Sequence, residues 1–96
     1  MEVAEKTLKQ QWWEWHKENP HVYALFERFT LRAISKGKTR LSAWLVVNRI
    51  RWETDVETSG DDFRISNDWI AFYARLFMAL NPQYDGIFVT KKMKRE

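Results

Sequence analysis

The chain contains no cysteine among its 96 residues, only three glycines and only two prolines. Without cysteine there is no disulfide framework, no thiol nucleophile, and no thiolate-ligated zinc or iron–sulfur centre. The three glycines are isolated at turns, so no glycine-rich loop is present to cradle a phosphate. No apolar run approaches the roughly 18–20 residues needed to cross a bilayer. The first residues, MEVAEKTLKQQWWEW, alternate charge with aromatics and lack the apolar stretch and small-residue cleavage site of a secretory signal. A cytoplasmic protein with no membrane association is expected.

What the chain does contain is enough apolar material for one core. Apolar residues make up 45% and charged residues 30%, which disfavours wholesale disorder. The length permits one domain, expected to span 1–96: a Trp-rich helix at 4–18, a core at 20–90 and a basic tail at 91–96. Six tryptophans in so short a chain are unusual.

The net charge of +3 conceals a strong segregation. Residues 28–51 carry Arg28, Arg32, Lys36, Lys38, Arg40, Arg49 and Arg51 with no acid, a block of +7. Residues 52–85 carry seven acids against two arginines, a block of −5. The first 27 residues are at −2, and the tail, with Lys91, Lys92, Lys94 and Arg95 against Glu96, is at +3.

Breakers at Asn19-Pro20, Gly37, Ser59-Gly60, Asn81-Pro82 and Asp85-Gly86 divide the chain. From about Ala4 to Glu18, Ala4, Leu8, Trp12 and Trp15 share a face at 100° per residue, predicting a helix that buries both tryptophans. Trp13 points elsewhere and is the ring without an evident packing role, a candidate protein contact. Asn19 as cap and Pro20 at the first helical position predict a second helix to about Lys36, stopped by Gly37. Val22, Phe26, Phe29 and Ala33 form its inward face, while Arg28, Arg32 and Lys36 make a basic stripe.

Thr39 or Ser42 caps a third helix, about Leu41 to Thr54. Leu41, Trp44, Leu45, Asn48 and Trp52 occupy one arc and Ala43, Val46, Val47 and Ile50 the opposite one. A helix apolar on both sides is expected at the centre of the molecule, with Trp44 and Trp52 as core. Residues 54–65 alternate around Ser59-Gly60-Asp61 and predict a hairpin. Ser66-Asn67-Asp68 starts a fourth helix to about Leu80, burying Trp69, Tyr73, Leu76 and Leu80 and leaving a thin face of Ala71, Ala74, Arg75 and Met78. Ile87–Thr90 is a short β run.

This order predicts an α+β fold, mostly helical: about four helices with a small antiparallel sheet made by the hairpin and the C-terminal strand, broadly winged-helix-like. The runs Phe26-Glu27-Arg28-Phe29, Ala33-Ile34, Ser42-Ala43-Trp44-Leu45, Arg49-Ile50-Arg51-Trp52-Glu53, Gly60-Asp61-Asp62-Phe63-Arg64-Ile65-Ser66-Asn67 and Tyr73-Ala74-Arg75-Leu76-Phe77-Met78, up to Asn81-Pro82, resemble a family of small uncharacterised phage and prophage proteins. The resemblance covers about Phe26 to Phe88. It implies a phage or prophage origin and an intracellular setting, and carries over no reaction and no functional residue.

No catalytic constellation is visible. His16 and His21 lack a third ligand at zinc spacing, and Asp55, Glu57, Asp61 and Asp62 lack the spacing of a calcium loop. The expectation is a binding protein, not an enzyme, with no cofactor and no metal. The favoured partner is nucleic acid, DNA above RNA, held at its phosphates by Arg28, Arg32, Lys36, Lys38, Arg40, Lys91 and Lys92, with Arg75 on the thin face of the fourth helix. The alternative is a protein-binding module, docking on a host or phage protein or self-associating, that uses exposed aromatics such as Trp13 and the acidic segment 52–62.

Overall fold

The computed structural model describes residues 6–57 and 65–89. It is all-α: α1 spans Leu8–Glu18, α2 Pro20–Ser35, α3 Ala43–Glu57 and α4 Ile70–Leu80, with single 3-10 turns at Asn67–Trp69 and Pro82–Tyr84. The expected α+β, winged-helix-like arrangement is therefore overturned. Among the described residues the only β pairing is one isolated parallel bridge between Leu41 and Phe88, closed by the Leu41 N–H donating to the Ile87 carbonyl at 2.9 Å. The predicted hairpin loses its first arm because α3 continues through Val56 to Glu57. No proline or glycine stands between Trp52 and Ser59, and Thr54 satisfies its hydroxyl on the Ile50 carbonyl (2.9 Å) without leaving the helix. The turn at Ser59-Gly60 and the arm at Phe63 lie outside the described residues, as do Lys91 and Lys92.

Local chemistry explains each boundary. Helix α1 begins at Leu8 because Thr7 and Gln10 form a capping box. The Gln10 N–H donates to Thr7 Oγ1 (3.1 Å) and the Thr7 N–H to Gln10 Oε1 (2.9 Å), satisfying two end donors reciprocally. Asn19 closes α1 and does not cap α2 with its side chain: its amide Nδ2 donates to the Trp15 carbonyl at 2.9 Å. Asn81 repeats the device on Phe77 at the end of α4, also at 2.9 Å. Both asparagines have φ −130°, and both precede a proline that opens the next helical element.

Helix α2 ends in a Schellman motif. Gly37, at φ +94°, donates to the Ile34 carbonyl (2.9 Å), and Lys38 donates to the Ala33 carbonyl (3.2 Å). Ser42 Oγ receives the Leu45 N–H at 3.3 Å and starts α3. Ser66 Oγ receives the Asp68 N–H at 3.1 Å and starts the turn that leads into α4.

The central helix is α2, which packs on α1, α3 and α4; α3 had been expected there. Its Val22, Phe26 and Thr30 are fully buried. An aromatic spine links the layers. Trp12 lies 5.4 Å from Phe72 and edge-on to Tyr73 at 5.5 Å. Tyr73 stacks on Phe26 at 5.8 Å, and Phe26 meets Phe88 at 5.4 Å. Ring pairs in these geometries contribute about 0.5–1.5 kcal/mol beyond their area.

Helix α3 buries Val46, Val47 and Ile50, but not Trp44 or Trp52, which are 56% and 66% exposed. Helices α2 and α4 both pack on α3, and among the described residues no element covers the opposite apolar arc. In α4 the buried residues are Phe72, Tyr73, Ala74 and Phe77, while Leu80 is exposed and Trp69 only half-buried. The face is thus rotated towards Ala74, whose small side chain lets the neighbouring elements approach. No helix of the described residues is long and apolar enough to cross a membrane.

Candidate nucleic-acid interface

Three of the basic residues expected to contact phosphate come together. Arg32 on the last turn of α2 and Lys36 at its C-cap lie four residues apart, about one helical turn. The Schellman turn at Gly37 then reverses the chain so that Lys38 joins them. These three side chains, with Phe29, Ala33 and Arg49, line a groove of about 390 Å³ between α2 and α3. Arg32, Lys36 and Lys38 are all exposed, and no acidic side chain among the described residues bridges to them.

Arg49 forms the far wall. Its guanidinium stands 5.4 Å from the centre of the Phe29 ring, and its Nη2 lies 3.1 Å from Glu53 Oε1, one turn along α3. The planar cation is held by both partners. Arg49 is not among the residues that the sequence places at the interface. Its signal was positional, since at 100° per residue Arg49 flanks the buried arc of α3 on the side that meets α2. Arg51, a member of the same basic block, serves the fold. Its guanidinium donates to Asn48 Oδ1 (3.3 Å), Asn67 Oδ1 (2.8 Å) and the Ile65 carbonyl, tying α3 to the start of α4.

The remaining predicted contacts are dispersed. Arg28 is exposed on α2 one turn before Arg32, continuing the stripe beyond the groove, and Arg40 is exposed in the bend before α3. Arg75 lines a different groove, of about 270 Å³, with Lys9, Trp12, Trp13, Phe72, Leu76 and Ala79. There Trp13 is 46% exposed and in ring contact with Trp12 (5.7 Å) and His16 (5.3 Å).

His16 itself sits among Trp12, Tyr23 and Tyr73, with its Nδ1 buried and unpartnered. Burial lowers its pKa from the usual 6.5 because the imidazolium loses hydration there. Among the described residues no three His, Asp or Glu side chains are grouped as metal ligands would be. Comparison with protein-family models, with curated proteins and with solved structures gave no significant match.

Proposed function

We propose that this protein binds nucleic acid, DNA by preference, through the α2–α3 groove, and that its role is binding and not catalysis. The observation that carries the reading is the convergence of Arg32, Lys36 and Lys38 on one groove with no acid of the described residues paired to them. Three like charges so placed repel one another in the free protein. A phosphate backbone would relieve that repulsion and release its own counterions. Phe29 and Ala33 make the floor apolar, so the recognised feature is backbone charge and shape, and sequence selectivity is expected to be low. Arg28 and Arg40 extend the contact at either end. On the resemblance of residues 26–88, the setting is a phage or prophage protein acting in the host cytoplasm.

Fluorescence anisotropy with duplex and single-stranded oligonucleotides across a salt series tests the reading. Three to four phosphate contacts give a log–log salt slope of about −3. Arg32→Glu combined with Lys36→Glu should lower affinity at least tenfold and leave the helical circular dichroism intact. Absence of binding at about 50 mM salt, where phosphate contacts are strong, removes the proposal.

A further inference from the structure

We infer that the outer face of α3 is the contact surface of a homodimer, in which two copies of the helix cross antiparallel about a two-fold axis through Asn48. Trp44, Leu45 and Trp52 are 56%, 62% and 66% exposed. At 100° per residue they flank Asn48 on the arc opposite the buried Ile50. With about 150–250 Å² on each large aromatic, the three residues leave on the order of 400 Å² of apolar surface in water. Two copies hide about twice that from these residues alone. Specific interfaces bury about 1,200–2,000 Å² in all, so these residues supply the apolar centre and the polar rim around it must supply the rest.

The occupant follows from symmetry. A two-fold interface must be self-complementary, each residue meeting its symmetry mate across the axis. The tryptophans have this property about Asn48, one four residues before it and one four residues after it, while Leu45 comes level with Arg51 of the partner subunit. An antiparallel crossing centred there sets Trp44 of one protomer against Trp52 of its partner, twice.

Asn48 suits the axis. Its Nδ2 already donates to the Trp44 carbonyl (2.7 Å), and its Oδ1 accepts from Arg51 (3.3 Å). One amide hydrogen and one lone pair remain, the set needed for a reciprocal pair with the same residue of the partner. A single asparagine in an apolar helix contact fixes register in this way.

Helix dipoles select the direction. An antiparallel crossing opposes the dipoles of the two α3 helices, which a parallel crossing would align. The inference stands independently of the proposed DNA contact.

Sedimentation equilibrium of the full chain from low to high micromolar concentration should give twice the chain mass of 11.7 kDa at the upper end. Leu45→Glu should raise the dissociation constant at least tenfold with helical circular dichroism retained. Because the chain has no cysteine, Asn48→Cys supplies a unique probe. Oxidation should link it into a covalent dimer, whereas Lys36→Cys, away from the axis, should remain a single chain. Monomeric mass at every concentration overturns the inference, including the case in which an oligonucleotide quenches the tryptophan emission of that monomer and so claims the face. A dimer indifferent to Leu45→Glu, or equal cross-linking from position 36, overturns it as well.

Discussion

The Arg49 guanidinium lies 5.4 Å over the Phe29 ring and joins α3 to α2 at the edge of the basic groove. The same arginine bridges to Glu53 at 3.1 Å, so one side chain is shared between an aromatic face and a carboxylate. Exposed contacts of each kind contribute about 0.5–1 kcal/mol. Arg49→Ala should therefore destabilise the fold by about 1 kcal/mol in urea denaturation. Arg49→Lys should recover less than half of the loss, because an ammonium lacks the planar fork and stacks poorly on a ring.

The two grooves separate the basic residues into those expected to bind DNA and those not. Reversing charge at Arg75, which is half-buried and lines the Trp13 groove, not the α2–α3 groove, should leave oligonucleotide affinity within about twofold, because charges more than a Debye length of about 10 Å from a contact are largely screened. Reversal at Lys36 and Lys38 should lower it at least tenfold. Equal effects in an anisotropy titration at moderate salt would place the contact across the whole surface and not in the α2–α3 groove.

Tryptophan truncations should fall into two classes. Trp12 is 4% exposed and sits at the head of the aromatic spine, so Trp12→Ala should cost about 3–5 kcal/mol. Trp44→Ala and Trp52→Ala should each cost under about 1 kcal/mol, as surface substitutions do, provided denaturation is followed at submicromolar chain concentration, where association contributes little. Larger losses at those two positions would mean that the rings are covered within one chain.

His16 gives stability a pH dependence of defined sign. Its folded pKa lies below the ordinary 6.5, so the unfolded chain binds a proton more readily than the native one. Stability then rises with pH through this window and falls as pH drops below about 6.5. The melting temperature should decrease between pH 7.5 and 5.5, and His16→Gln should flatten that slope. An unchanged slope would assign it to another group.

Gly37 holds φ +94° with no atom near the space a Cβ would occupy. Gly37→Ala therefore meets no neighbouring side chain, but its own Cβ is strained against the backbone at this positive φ, a cost of about 1–2 kcal/mol. Because this turn delivers Lys38 to the groove, the variant also tests whether the groove depends on the Schellman geometry. Affinity should drop by more than the stability change alone explains.

Helix existence was legible in the chain because caps and stops are local chemistry. Asn19-Pro20, Gly37, Ser42, Ser66 and Asn81-Pro82 act through bonds to residues within five positions. The basic stripe was legible for the same reason, since Arg28, Arg32 and Lys36 follow helical spacing. The hairpin was not legible, because alternation over a few residues cannot be told from the last turn of a helix. The choice fell to α3, which continues without a breaker to Glu57.

What the sequence determined by itself is a four-helix chain with marked ends, an aromatic core and a +7 block. What only the tertiary structure decided is which side of each helix meets another. Periodicity shows that α3 has two apolar arcs, but burial is a property of neighbours. Helices α2 and α4 both pack on α3, which buries Val47 and Ile50 and leaves Trp44 and Trp52 in solvent. The same packing brings Arg49 of α3 to the groove wall opposite Arg32 and Lys36, residues 13 to 17 positions earlier in the chain, and no spacing rule could have joined them.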